Sequence, residues 1–286
     1  MLILNYHGIE KFAGEYPWQP GEKRYTVSTS QFESQLTLIR EKNVVSLNLA
    51  SLKDELGMAL VPQRVIPAQA GIQQTEASLD SRFRGNDRKT NSVVLTFDDG
   101  HISHLFHAAP VLKRHGLTGI FFITAGFLGQ KNYLSKDQVK ELIGMGFEIG
   151  SHGFNHVPLT GLPMDQLVHE IAGSKHALEK ELGIRIRAFS VPRGFYVPAI
   201  RQIARQCGYD FVFTSFYGLN RPGASDTLKL KRVAILPEMS AAEFAAILDG
   251  RLGFRGISER IKSQVRNYVP AAAYDWLAAV KGKIRS

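Results

Sequence analysis

Two short stretches of this chain carry side chains suited to metal-assisted hydrolysis. Asp98 and Asp99 stand together in Thr96-Phe97-Asp98-Asp99-Gly100, and His152 and His156 stand four apart in Ser151-His152-Gly153-Phe154-Asn155-His156. Two imidazoles and a carboxylate are a common donor set for a borderline cation, which leaves the second carboxylate free to accept a proton. Neighbouring strand residues point to opposite faces, so the two aspartates can share a site only where a strand ends, and Gly100 permits the turn there. Each feature also has a plainer reading. An acidic pair after a strand suits helix capping, and a lone histidine is usually structural; two histidines at a spacing of four, following a strand, favour ligation.

Those side chains need elements to carry them. Strand-like runs fall at Leu2 to His7, Val44 to Leu49, Ser92 to Phe97, Gly119 to Thr124, Glu148 to His152, Ala188 to Pro192, Phe211 to Phe216 and Leu230 to Ile235, with helix-length amphipathic segments between most of them. Capping boxes are predicted at Ser30 with Glu33, Ser135 with Gln138 and Ser240 with Glu243. The alternation implies an α/β fold, a (β/α) barrel of about seven or eight parallel strands in a single domain, with a doubly wound open sheet as the alternative. Barrel enzymes work at the carboxyl ends of their strands. His7 ends the first run, Asp98 and Asp99 follow the third, His152 ends the fifth and Arg193 follows the sixth, so the candidates converge on one rim.

His101, His104 and His107 form a rival cluster just after Gly100. With no carboxylate among them, they are expected to be a partly exposed helix face, with His101 lining the pocket. Two segments fall outside the barrel pattern. Residues 64–89 show no sustained period and read as a dispensable insertion that also resembles the translation of an interspersed bacterial DNA repeat; residues 1–250 otherwise form the barrel. Residues 251–286 are a basic amphipathic tail carrying a net +6 of the chain's +9, so the body is nearly neutral. That tail suits a helix packed on the barrel with a solvated basic face, and it also has the make-up of helices that lie on anionic membranes, so peripheral membrane contact is a candidate. No nucleic-acid motif accompanies the charge.

The single cysteine, Cys207, excludes an internal disulfide. Met1 leads straight into an apolar strand-like run, without a basic start and long apolar core, and no run reaches the roughly 20 residues of a membrane helix. The expectation is a cytoplasmic protein, peripheral at the inner membrane face if the tail docks.

Thr96 to Gly100, Ser151 to His156 and Phe189-Ser190-Val191-Pro192-Arg193-Gly194-Phe195-Tyr196 together resemble the signature blocks of the polysaccharide deacetylase family, also called the NodB homology domain or carbohydrate esterase family 4. The resemblance runs from about residue 2 to 236, apart from the insertion. It implies that Asp98 is the general base and that Asp99, His152 and His156 bind a divalent metal, usually zinc and sometimes cobalt or nickel. Asn5-Tyr6-His7 resembles the Tyr-His block of the branch that deacetylates poly-N-acetylglucosamine, where the N-terminal histidine is the general acid; no histidine follows His176, which leaves that part to His7. Arg193 would orient Asp98 or bind a sugar, and Tyr196 would help to orient substrate. The reaction implied is hydrolysis of an N-acetyl group on an amino sugar of an N-acetylated glycan. The alternatives are deacylation of another amide, such as a formyl or lipid-linked sugar, a non-catalytic carbohydrate-binding relative, or a non-haem iron oxygenase, a class built mostly on all-β scaffolds.

Overall fold

A computed structural model describes residues 1–18, 20–57, 92–194 and 196–253. The insertion at 64–89 and nearly all of the tail at 251–286 lie outside the described residues. The strands are β1 (Leu2–Tyr6), β2 (Ile9–Glu10), β3 (Val27–Ser28), β4 (Val45–Ser46), β5 (Ser92–Phe97), β6 (Ile120–Ile123), β7 (Glu148–Ser151), β8 (Ala188–Ser190), β9 (Phe211–Tyr217) and β10 (Leu230–Ala234). All eight sequence-derived runs are strands.

The large sheet runs β1-β10-β9-β8-β7-β6-β5 and closes because β5 also pairs with β1, Leu2 opposite Val93 through Tyr6 opposite Phe97. Seven parallel strands therefore make the barrel. β4 is an eighth, short strand that shares an edge of β5 with β6: Val45 and Ser46 take the start of β5, and Ile120 and Phe121 take its end. The expected (β/α) barrel is the fold, and the open-sheet alternative falls with the closure.

Side-chain alternation on these strands produces two layers with one parity. Ile3, Val94, Ile120, Phe122, Ala188, Phe211, Phe213 and Leu230 cluster as one buried apolar plug. The intervening residues, including Leu2, Leu4, Tyr6, Val93, Leu95, Phe97, Phe121, Ile149, Phe189, Val212 and Val233, join the larger core beneath the helices. Counting onward by twos from the plug gives Asn5 and His7 on β1, Thr96 and Asp98 on β5, Ser190 on β8 and Arg232 on β10. The parity that plugs one end thus delivers polar side chains to the other.

Helix ends follow the cap signals with one shift. Ser135 and Gln138 form the predicted reciprocal box, and the Ser240 hydroxyl accepts from the Glu243 N–H. The first helix, Thr29–Glu41, starts ahead of expectation: Ser28 is its N-cap and accepts from the Gln31 N–H. No described helix is long and apolar enough to cross a membrane.

Gly150 has no room for a side chain. A Cβ there would lie 2.4 Å from the Phe122 ring and 3.0 Å from the Ala188 carbonyl, both in the barrel wall. Overpacking of this kind costs about 1–3 kcal/mol. Gly150→Ala is expected to lower the thermal unfolding midpoint, measured by calorimetry, and an unchanged midpoint would show that the plug can yield.

Candidate active site

The chain turns sharply after β5. Asp99 has φ of 81° and Gly100 of 75°, so the strand ends at Asp98 and the next carboxylate swings toward the same mouth. A left-handed aspartate is uncommon outside glycine-like turns. At the end of β7, Gly153 (φ 77°) and His156 (φ 58°) fold the histidine loop back in the same way. The result brings one carboxylate oxygen of Asp99 to 3.2 Å from His152 Nε2 and 3.1 Å from His156 Nε2. Donor atoms of Asp99, His152 and His156 all lie within 4.8 Å of one another.

The hydrogen bonding around this cluster is compatible with a cation site. His152 Nδ1 lies 2.9 Å from the Ser190 carbonyl, an acceptor, so that nitrogen carries the proton. In the neutral ring Nε2 then has a lone pair facing the Asp99 oxygen, which is buried without a hydrogen-bond partner. A carbonyl-anchored imidazole is the usual arrangement of a metal-ligating histidine. Burial opposes the charged form of both Asp99 and His156, but their mutual attraction outweighs it: the Asp99 carboxyl is held well below the carboxylate range and the His156 ring is raised.

Asp98 is held differently. It is 2% exposed, and Arg232 grips it with two parallel bonds, Nη1 to Oδ1 at 2.9 Å and Nη2 to Oδ2 at 2.8 Å. Asn5 Nδ2 donates to Oδ2 at 3.1 Å. Arg232 is saturated in turn by the Thr214 carbonyl, Asn5 Oδ1, Thr96 Oγ1 and Ser190 Oγ. Burial alone would raise the Asp98 carboxyl, yet the guanidinium holds it far below its ordinary range, so Asp98 is ionised at any working pH.

His7 stands at the same mouth. Its Nδ1 is buried without a hydrogen-bond partner, its ring stacks on Tyr25 with centroids 4.9 Å apart, and burial lowers its pKa. Its carbonyl accepts from His104 Nε2 at 2.8 Å. This changes the picture of the second histidine cluster. His101 and His104 are buried rather than on a partly exposed helix face: His101 packs on the Trp18 ring at 4.1 Å, His104 packs against the Phe97 and Phe121 rings, and burial lowers the two rings to about 3 and about 4. They are neutral packing groups, and His104 fixes the backbone of His7.

Arg193 and Tyr196 lie apart from this network. Arg193 (φ 54°) is exposed on the rim, its charge felt by His156, and the part of orienting Asp98 is taken by Arg232. Tyr196 is buried, and its hydroxyl donates to the Leu228 carbonyl at 3.1 Å. Sequence reasoning missed Arg232, Asn5 and Ser190 as a set. The available signal was parity: Arg232 shares a face with Leu230 of the plug, and a cation facing into a barrel needs a buried anion.

Comparison with known proteins agrees with this geometry. Residues 85–212 match the family model described as polysaccharide deacetylase. Residues 85–212 carry a polysaccharide deacetylase domain. The peptidoglycan-N-acetylmuramic acid deacetylase PdaA of Bacillus subtilis is 30% identical over 153 residues, 52% of this chain and 56% of that one. The poly-β-1,6-N-acetyl-D-glucosamine N-deacetylase of Staphylococcus aureus is 25% identical over 170 residues, 54% of this chain and 49% of its own. Among solved structures, the Streptococcus pyogenes deacetylase PplD in complex with acetate superposes with a TM-score of 0.67 at 25% identity, covering 88% of this chain and 97% of that one. The chain spans about half of the length of these two curated relatives.

Removing one partner of a buried ion pair leaves an uncompensated charge, which costs about 3–5 kcal/mol. Arg232→Met is expected to lose stability of that order in denaturant titration. The pH dependence has a definite sign. Because the folded-state pKa of Asp98 is depressed, its contribution is complete above the unfolded value of about 3.9 and is lost as pH falls toward the folded one. The stability difference between wild type and Asp98→Asn should therefore be flat from neutral pH to about 5 and shrink below about 4; a difference that grows on acidification would contradict the ion pair.

Proposed function

We propose that this chain is a divalent-metal-dependent hydrolase that removes N-acetyl groups from the amino sugars of a polysaccharide or glycan precursor. The observation that carries the reading is the pairing of a convergent Asp99-His152-His156 donor set with a separately clamped, ionised Asp98, in the mouth of a polysaccharide deacetylase barrel. Both curated relatives described above are named as deacetylases of N-acetylated glycans, and PplD was solved with acetate, the small product such a reaction releases.

Asp99, His152 and His156 would hold the metal, with zinc the best fit to a two-imidazole, one-carboxylate set and cobalt or nickel acceptable. A cation bound there supplies a Lewis acid that makes a water more acidic and polarises the acyl oxygen. Asp98 accepts the proton of the attacking water. A carboxylate this weakly basic can do so only from an acidified water, so its low pKa and the donor set beside it belong to one design. His7, as the imidazolium, gives a proton to the nitrogen as the C–N bond breaks, leaving acetate and a free amine; burial disfavours that charged form, and the neighbouring Asp99 and Asp98 carboxylates favour it. Arg193, exposed at the rim, would meet the sugar.

Acetate release from a panel that includes N-acetylglucosamine and N-acetylmuramic acid polymers, with and without chelator, tests the reading. Activity is expected to vanish with chelator and return with zinc or cobalt. Asp98→Asn should abolish turnover with metal content unchanged, and retained turnover would remove Asp98 from the base role. His7→Ala should slow amide hydrolysis by about 10²–10⁴-fold, yet spare 4-nitrophenyl acetate, whose leaving group needs no proton; equal losses on both substrates would deny His7 the acid role.

A further inference from the structure

The loop that presents His156 is anchored by a carboxylate that none of the steps above uses. Glu170 is 3% exposed and lies in the π-helical turn His169–Gly173. Its Oε2 accepts from the backbone N–H of Phe154 at 2.8 Å and of Asn155 at 3.0 Å, and its Oε1 accepts from Asn155 Nδ2 at 2.7 Å. Among the described residues no cation pairs with it, so the loop's N–H groups are what satisfy this buried charge. The opposite side of the loop is pinned as well: the Ala125 N–H donates to the Gly153 carbonyl at 3.0 Å and the Gly126 N–H to the Phe154 carbonyl at 2.8 Å. The neighbouring His169 ring stacks on Phe154 with centroids 4.4 Å apart. Gly153 cannot easily yield, since a Cβ there would lie 3.1 Å from Glu170 Oε2 and 3.0 Å from Pro192. Every held group lies between His152 and His156. His156, at a positive φ, would not keep its ring on Asp99 without an imposed backbone path.

We propose that Glu170 is a positioning residue for the metal site: its carboxylate gathers the N–H groups of residues 154 and 155 and thereby fixes where His156 Nε2 points. The inference rests on the metal reading above. It makes a polarity argument that a generic packing role would not make. Both Glu170 oxygens must accept, so Glu170→Gln presents an NH2 group to the Asn155 amide and loses one acceptor, although its size is kept. Asn155→Asp alone sets two carboxylates against each other. Combining Glu170→Gln with Asn155→Asp reverses donor and acceptor and restores the match.

The test is titration of the metal-free full chain with cobalt chloride, read by visible absorption and by competition with a chelator, with melting of each metal-free variant as the check of folding. Each single variant is expected to bind cobalt about 10–100-fold more weakly, and the double variant to recover most of that loss and the wild-type spectrum. Wild-type affinity in Glu170→Gln, or a double variant no better than the singles, would overturn the inference while leaving the metal site standing. Should Glu170→Gln not fold, Asn155→Asp at its exposed position carries the same comparison. A wild-type chain that binds no cobalt would take down the metal reading, and this inference with it.

Discussion

The buried ion pair between Asp98 and Arg232 is the constraint on which the rest of the mouth is built. A carboxylate at 2% exposure is tolerable only with a guanidinium in bidentate register, and that guanidinium is tolerable only because four further acceptors absorb its remaining N–H groups. Those acceptors come from β1, β5, β8 and β9, so the pair fixes four strand ends relative to β10. Ser190 shows how tightly the parts are tied. Its hydroxyl accepts from Arg232 while its carbonyl accepts from His152, so one residue sets both the base clamp and the tautomer of a metal-ligand candidate.

The two aspartates, adjacent in sequence, are separated in role by their surroundings. Asp98 directly follows β5 and meets fixed cationic and amide donors, whereas Asp99, thrown by its left-handed backbone to the far side of the turn, meets two imidazoles. A carboxylate whose lone pairs are already engaged by a guanidinium is a poor ligand, and one facing two ring nitrogens is a good one. The proposed assignment of Asp99 as ligand and Asp98 as base rests on these partners rather than on order along the chain.

Much of this was legible beforehand, and the reasons for the rest are physical. The strand runs, the parallel barrel and the convergence of His7, Asp98, Asp99 and His152 on one rim follow from hydrophobic period and from where each run stops. Arg232 was hidden because Lys229, Lys231 and Arg232 present several cations, and only the inward parity of Leu230, visible once the barrel closes, says which one enters. Glu170 was hidden because an isolated acid in an amphipathic helix reads as solvated; its partners lie on a loop 15 residues earlier. The burial of His101 depended on Trp18 and the segment before β3, and that of His104 on Phe97 and Phe121, tertiary cover that leaves no periodic trace. Ser28 displaced Ser30 as the first cap because Ser28 and Ser30 are both good cap residues, and the shift moves the start by two residues.

Anomalous diffraction at the zinc edge from crystals of the zinc-loaded protein tests the central claim most directly. The account predicts one peak about 2 Å from a carboxylate oxygen of Asp99, from His152 Nε2 and from His156 Nε2, with Asp98 still gripped by Arg232 and off the ion. A peak bound through Asp98, or one that leaves out either histidine, would contradict it.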